Sequence, residues 1–195
     1  MTLTRRSLLA STVALGLGTA LSAAFPLVAQ AETVDVAKLM EPSPLGEKSL
    51  GKEDAPVTIV EYASMTCGHC ANFHKNTLPE IKKQYIETGK VRMIFREFPL
   101  DPVSAAGFML ARCAPEEKYF DVMDALFADQ RAWAFTNDPY NSMLNFSKQL
   151  GFTQESFEAC LTNQSLLDGV NAVRDKGGNE FKVDSTPTFF INGEK

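Results

Sequence analysis

The chain has 195 residues, 45% of them hydrophobic, and carries 24 acidic against 19 basic side chains for a formal net charge of -5. No basic run appears, which excludes nucleic acid or an anionic membrane surface as the main partner to look for. The length suits one elaborated domain with a sizeable core and leaves little room for two independent ones.

Residues 1–31 read as an export signal: Arg5 and Arg6, an apolar stretch from Leu8 to about Leu21, and Ala29-Gln30-Ala31 as a small-residue cleavage site. The mature chain is expected to start at Glu32. Thr4-Arg5-Arg6-Ser7-Leu8-Leu9 loosely fits a twin-arginine signal but lacks its Phe and trailing Lys, so ordinary Sec export is the reading. No later segment approaches about 20 apolar residues, and the mature protein is expected to be soluble. Since the signal carries two positive charges and no acid, its removal changes the net charge from -5 to -7. Four cysteines in an exported chain point to an oxidising compartment.

Residues 32–55 are polar and broken by Pro42, Pro44, Gly46 and Gly51, which suggests an extended arm with at most a short strand. Val57 to Ala63 is apolar on both faces apart from Thr58 and Glu61, as a central strand covered on both sides should be. From Cys70 the residues Phe73, Thr77, Leu78, Ile81 and Tyr85 follow helical spacing, Pro79 should kink the helix, and Gly89 ends it. Val91 to Phe98 is a second strand, which gives a β-α-β unit across residues 56–100 with a right-handed crossover expected.

Residues 101–181 are expected to form a helical insertion. Its runs are Ala105 to Ala114, a segment opened by Pro115 with Phe120, Met123 and Phe127 on one face, Leu144 to Leu150, and Gln154 to Leu161. The last begins after Ser165, whose Asp168 completes a capping-box pattern. Residues 182–195 return to strand at Thr188 to Asn192, and Asn192-Gly193 is a two-residue hairpin signal. A hairpin needs a second strand, so the sequence is expected to continue beyond Lys195. Trp133 and the methionines read as packing.

Chemistry concentrates in Cys67-Gly68-His69-Cys70, which closes the first strand and opens the helix. Unpaired N–H groups and the aligned peptide dipoles at a helix start favour a thiolate, the form that attacks disulfides. Cys67 is therefore the expected nucleophile and Cys70, one turn in, the resolving thiol. His69 adds donor or positive character that pushes towards oxidase rather than reductase. The alternative is a metal site: Cys67, Cys70 and His74 have zinc-like spacing but lack a nearby fourth ligand. His74 then reads as a surface residue or as one lying just behind the site.

Glu61, inside the apolar strand, is expected to be buried with a raised pKa and to accept the proton of Cys70; a strand-edge carboxylate reaching water is the alternative. Thr186-Pro187 precedes the returning strand, where either peptide isomer is open from spacing alone. Cys113 and Cys160, 47 residues apart on two expected helices, are read as a structural disulfide, with two buried free thiols as the alternative. No phosphate loop or other cofactor motif is found, and no cofactor is expected.

Three segments together carry a family resemblance: Ala55 to Tyr62 leading into Cys67-Gly68-His69-Cys70, Phe95 to Leu100, and Ser185 to Gly193. From about Gly51 onwards the chain resembles a bacterial DsbA-like thiol:disulfide oxidoreductase, an α/β thioredoxin fold with an inserted helical domain. The resemblance implies that Cys67 is the reactive thiol, Cys70 its partner, Pro187 cis, and Thr186 a contact for substrate backbone. It supports Glu61 as the buried acid, and the second cysteine pair is similar to that of some alphaproteobacterial members.

It further implies a monomer that donates disulfides to reduced, unfolded exported polypeptides in the periplasm and is reoxidised by a membrane-embedded DsbB-like partner. Three departures stand out. Gly68 replaces the usual proline and gives the dipeptide of protein disulfide isomerases, Thr186 resembles the corresponding residue of periplasmic isomerases, and the last strand and helix of a thioredoxin fold are missing. An isomerase or reductase is thus the second reading, although the short arm offers no dimerisation domain. A non-catalytic metal carrier is the third.

Overall fold

The computed structural model describes residues 33–195; the expected signal, its cleavage sequence and Glu32 lie outside the described residues. In chain order the elements are α1 (Val36–Leu39), β1 (Lys48–Leu50), β2 (Val57–Ala63), α2 (Gly68–Asn72), α3 (Leu78–Ile81) and β3 (Val91–Glu97). There follow α4 (Pro102–Cys113), α5 (Tyr119–Ala128), α6 (Gln130–Trp133), α7 (Pro139–Gln149), α8 (Gln154–Leu161), α9 (Gln164–Phe181) and β4 (Thr188–Ile191).

The strands pair in the order β1-β3-β2-β4. β2 runs parallel to β3, with Glu61 opposite Phe95, and antiparallel to β4, with Glu61 opposite Phe189. Alternation sends Val57, Ile59 and Glu61 to one face and Val60 and Tyr62 to the other. The first face packs on Phe73, Leu78, Ile81 and Ile86, and the second on Leu39, Phe98, Phe181, Val183 and Phe190. Cover on both sides is what an apolar strand without clean alternation requires. α9 approaches closely at Gly177, where a Cβ would lie 2.7 Å from the Tyr62 ring.

Between Gly68 and Ile86 the chain is helical throughout, with π turns at Phe73–Thr77 and Lys82–Ile86 around α3. The irregularity expected at Pro79 takes the form of the first π turn. Proline lacks an N–H, and its ring would meet the carbonyl four residues back, so a wider turn just ahead of it relieves the clash.

Three local choices differ from the sequence expectation, and each follows from a cap. The arm contains the single turn α1 because the Asp35 carboxylate accepts from the Lys38 N–H at 3.2 Å. α7 starts at Pro139 rather than Leu144 because Asp138 caps it by accepting from the Asn141 N–H at 3.2 Å, with proline at the first helical position. α9 is capped by Asn163, which accepts from the Leu166 N–H at 3.1 Å, so Ser165 falls inside the helix and Asp168 accepts from the Gln164 side chain instead. Asn192 and Gly193 form the expected tight turn, both at positive φ, and Ile191 and Glu194 exchange backbone hydrogen bonds of 2.8 and 3.0 Å across it.

α4 to α9 occupy the chain between β3 and β4. Their core is built on Phe108, Met123, Leu126, Trp133, Phe157 and Val170, continuous with Phe95 of β3 and with Met65 and Cys70. The helices therefore reach the segment that leads into Cys67.

Candidate active site

After β2 the chain crosses Ser64-Met65-Thr66 before the helical run opens, and that crossing is pinned from two helices. The Ser104 hydroxyl accepts from the Met65 N–H at 2.9 Å and pairs with the Ser64 hydroxyl at 2.8 Å. Asp101 caps α4 by accepting from the Ser104 N–H at 2.8 Å and also accepts from the Thr66 hydroxyl at 2.6 Å. From α6, the buried Gln130 amide donates to the carbonyls of Met65 and Cys67 at 2.7 and 3.0 Å.

Cys67 is the N-cap of α2, with extended backbone (φ -80°, ψ 120°). It is half-buried, Cys70 is fully buried, and both thiols are unbonded. The Thr186–Pro187 peptide is cis and lies against Cys67, whose thiol donates to the Thr186 carbonyl at 3.2 Å. Burial alone would raise the Cys67 thiol. Hydrogen bonds from the Thr186 side chain, the Cys70 N–H and thiol, and the His69 N–H outweigh it and hold Cys67 below the usual thiol range.

Those N–H groups are the donors left unpaired at the start of a helix. The Thr186 hydroxyl is buried without a partner while Cys67 is a thiol, so ionisation of the sulfur supplies its acceptor. Cys70 moves the opposite way: burial pushes its thiol far up, and the neighbouring Cys67 adds to the shift against hydrogen bonding from the Ser64 backbone. His69 contributes through its backbone N–H, since its imidazole lies exposed.

Glu61 is fully buried on β2. Its carboxylate pairs with Nε2 of His74 at 3.1 and 3.3 Å. His74, in the first π turn, is itself buried and stacks on Phe127 with ring centroids 4.2 Å apart. Its Nδ1 lies 3.4 Å from Asp124 of α5, and Asp124 accepts from Lys82 at 2.9 Å. Burial raises Glu61 against the opposing pull of His74. Burial would lower His74, but Asp124 and Glu61 reverse that and raise it. With both ring nitrogens facing carboxylates, His74 is removed as a third metal ligand beside Cys67 and Cys70.

The other two cysteines are joined: a Cys113–Cys160 disulfide links the end of α4 to α8, with Cα atoms 6.0 Å apart. The sequence did not point to Asp124, Gln130, Ser104 or Asp101. Their contacts to the site span 35 to 65 residues.

A family model described as Thioredoxin matches residues 45–195. This chain belongs to the thioredoxin family. Within it the chain is DsbA-like: the crystal structure of α-DsbA1 from Wolbachia pipientis superposes with a TM-score of 0.73 at 34% identity, covering 80% of this chain and 79% of that one. Disulfide bond formation protein D of Bacillus subtilis is 34% identical over 163 residues, 78% of this chain and 70% of that protein. A Rickettsia felis protein provisionally named a protein-disulfide oxidoreductase is 34% identical over 146 residues, 74% of this chain and 52% of its own length. The chain thus spans about half the length of the rickettsial relatives it matches.

Proposed function

We propose that this chain is a thiol:disulfide oxidoreductase that donates disulfides to reduced, unfolded exported polypeptides in the periplasm, with a membrane-embedded DsbB-like protein to reoxidise it. The observation that carries this reading is the asymmetry of the two sulfurs, a half-exposed Cys67 held below the usual thiol range beside a buried Cys70 pushed above it. A substrate thiolate attacks Sγ of Cys67 in the oxidised pair, the Cys67–Cys70 bond breaks, and its electrons leave on Cys70, which is then protonated. A second substrate thiolate attacks the substrate sulfur of the mixed disulfide, forming the new disulfide and releasing Cys67 as thiolate.

In this scheme Glu61 is the acid and base for Cys70, His69 and Thr186 tune Cys67, and Thr186 and Pro187 receive substrate backbone. A depressed Cys67 favours the reduced pair and so makes the disulfide a stronger oxidant. Gly68 and Thr186 favour a second reading, a disulfide isomerase or reductase. The redox equilibrium of Cys67–Cys70 against glutathione separates the two, since a strongly oxidising couple supports donation and a thioredoxin-like couple supports the alternative. Refolding of a reduced, disulfide-requiring protein should be catalysed and should collapse in Cys67→Ser; undiminished catalysis by that variant overturns the assignment.

A further inference from the structure

His74 is the one buried group of the site that the scheme above leaves without a task. It joins two carboxylates of opposite character, the fully buried Glu61 through Nε2 and the partly exposed Asp124 through Nδ1. Asp124, 40% exposed at its side chain, in turn meets Lys82. The chain of contacts therefore runs from a fully buried carboxylate to a partly exposed one. Cys70 lies one helical turn before His74, and both are buried.

We propose that His74 is a redox-linked proton store: its Nδ1 takes a proton from the Asp124 side when the dithiol is reduced and returns it when the disulfide re-forms. The inference rests on the proposed exchange of a proton between Cys70 and Glu61. In the reduced protein Glu61 is a carboxylate and His74 an imidazolium, with Nε2–H donated to Glu61 and Nδ1–H to Asp124. On oxidation the Cys70 proton passes to Glu61. The His74 imidazolium is then no longer matched by the Glu61 carboxylate, and Nδ1 releases its proton past Asp124.

On reduction the leaving Cys70 thiolate takes the proton back from Glu61, and Nδ1 regains one from outside. Nε2 keeps its hydrogen in both states, so the ring neither flips nor exchanges tautomer across its buried side. Each turnover moves one proton out and one in at a single atom.

A buried carboxylate used as a base needs such a partner, because burial alone would keep it protonated and unable to accept. The raised His74 and the lowered Asp124 agree with an imidazolium held between two anions in this dithiol form; for Asp124, burial is outweighed by His74 and Lys82. The groups facing His74 are few. Among the described residues, Glu61 comes from β2, Asp124 from α5 and the Phe95 ring from β3, with the Phe127 and Phe73 rings also against the imidazole. Tyr119, within the field of Glu61, stays neutral because burial raises its phenol well above the ordinary value.

The test is a proton NMR titration of the two histidines in the fully oxidised and fully reduced protein, with His69→Asn to assign them. His74 should bind its proton at least about tenfold more tightly in the reduced form, and identical titration in the two forms overturns the proposal. The redox equilibrium with glutathione should change by one further factor of about ten per pH unit between the two His74 midpoints. His74→Gln, which can hydrogen-bond but not titrate, should abolish that extra dependence. If His74→Gln fails to fold, Asp124→Asn carries the test, because it should move the window to lower pH; an unmoved window counts against the store. Disulfide exchange by the wild-type protein is measured in parallel, so loss of the proposed function and loss of the His74 coupling are read separately.

Discussion

At the scale of single residues, the candidate site gives two identical thiols different surroundings. Thr186 contributes most visibly to Cys67, through the largest of the hydrogen bonds that lower its thiol. Thr186→Val keeps the shape and removes that donor, so the Cys67 thiol should move up and its alkylation at neutral pH should slow. The pH dependence of iodoacetamide labelling reads this directly, with Cys70 silent in both proteins. A stability effect follows with a definite sign. Because the folded Cys67 lies below its unfolded value, it adds stability that is complete above the unfolded thiol pKa, about 8.5. That stability is lost as pH falls through the folded value, and the disulfide form, which does not titrate there, gains none. Cys67 should therefore make the unfolding free energy of the reduced protein relative to the oxidised decline as pH is lowered from about 8.5. Paired denaturant titrations of the two forms of His74→Gln, where no His74 titration opposes it, measure it.

At the scale of elements, the four-residue helix α6 holds the active-site crossing through one amide. Gln130→Ala leaves the buried Met65 carbonyl without its side-chain donor and weakens the hold on Cys67, at a cost of about 1–3 kcal/mol. Urea unfolding and the rate of Cys67 alkylation should both change. β2 and α8 were legible residue by residue, because Val57 to Ala63 is bounded by turns and Gln154 to Leu161 carries a plain helical period. α6 was not, because a single turn between two longer helices has no period to read, and its capping geometry is set by the helices it joins.

The dithiol and the cis peptide announced themselves through motif and resemblance, whereas the burial of His74 depended on Asp124, fifty residues away, arriving on α5. No local pattern encodes that meeting. The cap of α9 was missed for a different reason: Asn163 and Ser165 both suit the position, and two residues of difference decide which one faces the free N–H groups.

Two of the long-range ties within residues 33–195 bear on the stability of the fold. The Cys113–Cys160 disulfide closes a span of 47 residues. Replacing both cysteines with alanine should cost up to about 4 kcal/mol on the chain-entropy account. The second tie is Arg112, buried on α4 against the fully buried Glu97. Its Nε donates to Glu97 at 2.6 Å, and Nη1 donates to the carbonyls of Leu45 and Gly46 at 2.8 and 3.0 Å. Arg112→Met removes one partner of a buried pair and should destabilise by about 3–5 kcal/mol. The midpoint of equilibrium unfolding checks both, and the two losses should couple rather than add, because Arg112 and Cys113 are neighbours in the last turn of α4.

The burial of Cys70 beside an accessible Cys67 also fixes the order in which any partner is met. Visiting thiols have one point of entry, so every covalent complex in the proposed scheme begins on the same sulfur and lasts until the client's second thiol or an internal clock, the return of Cys70, breaks it. In Cys70→Ser, with Cys67 first charged as a mixed disulfide with glutathione, a client thiolate can displace the glutathione thiol. That variant would turn a catalyst that forgets each client into one that keeps a record, with polypeptides that lack a second reachable thiol retained on Cys67 and recoverable for identification.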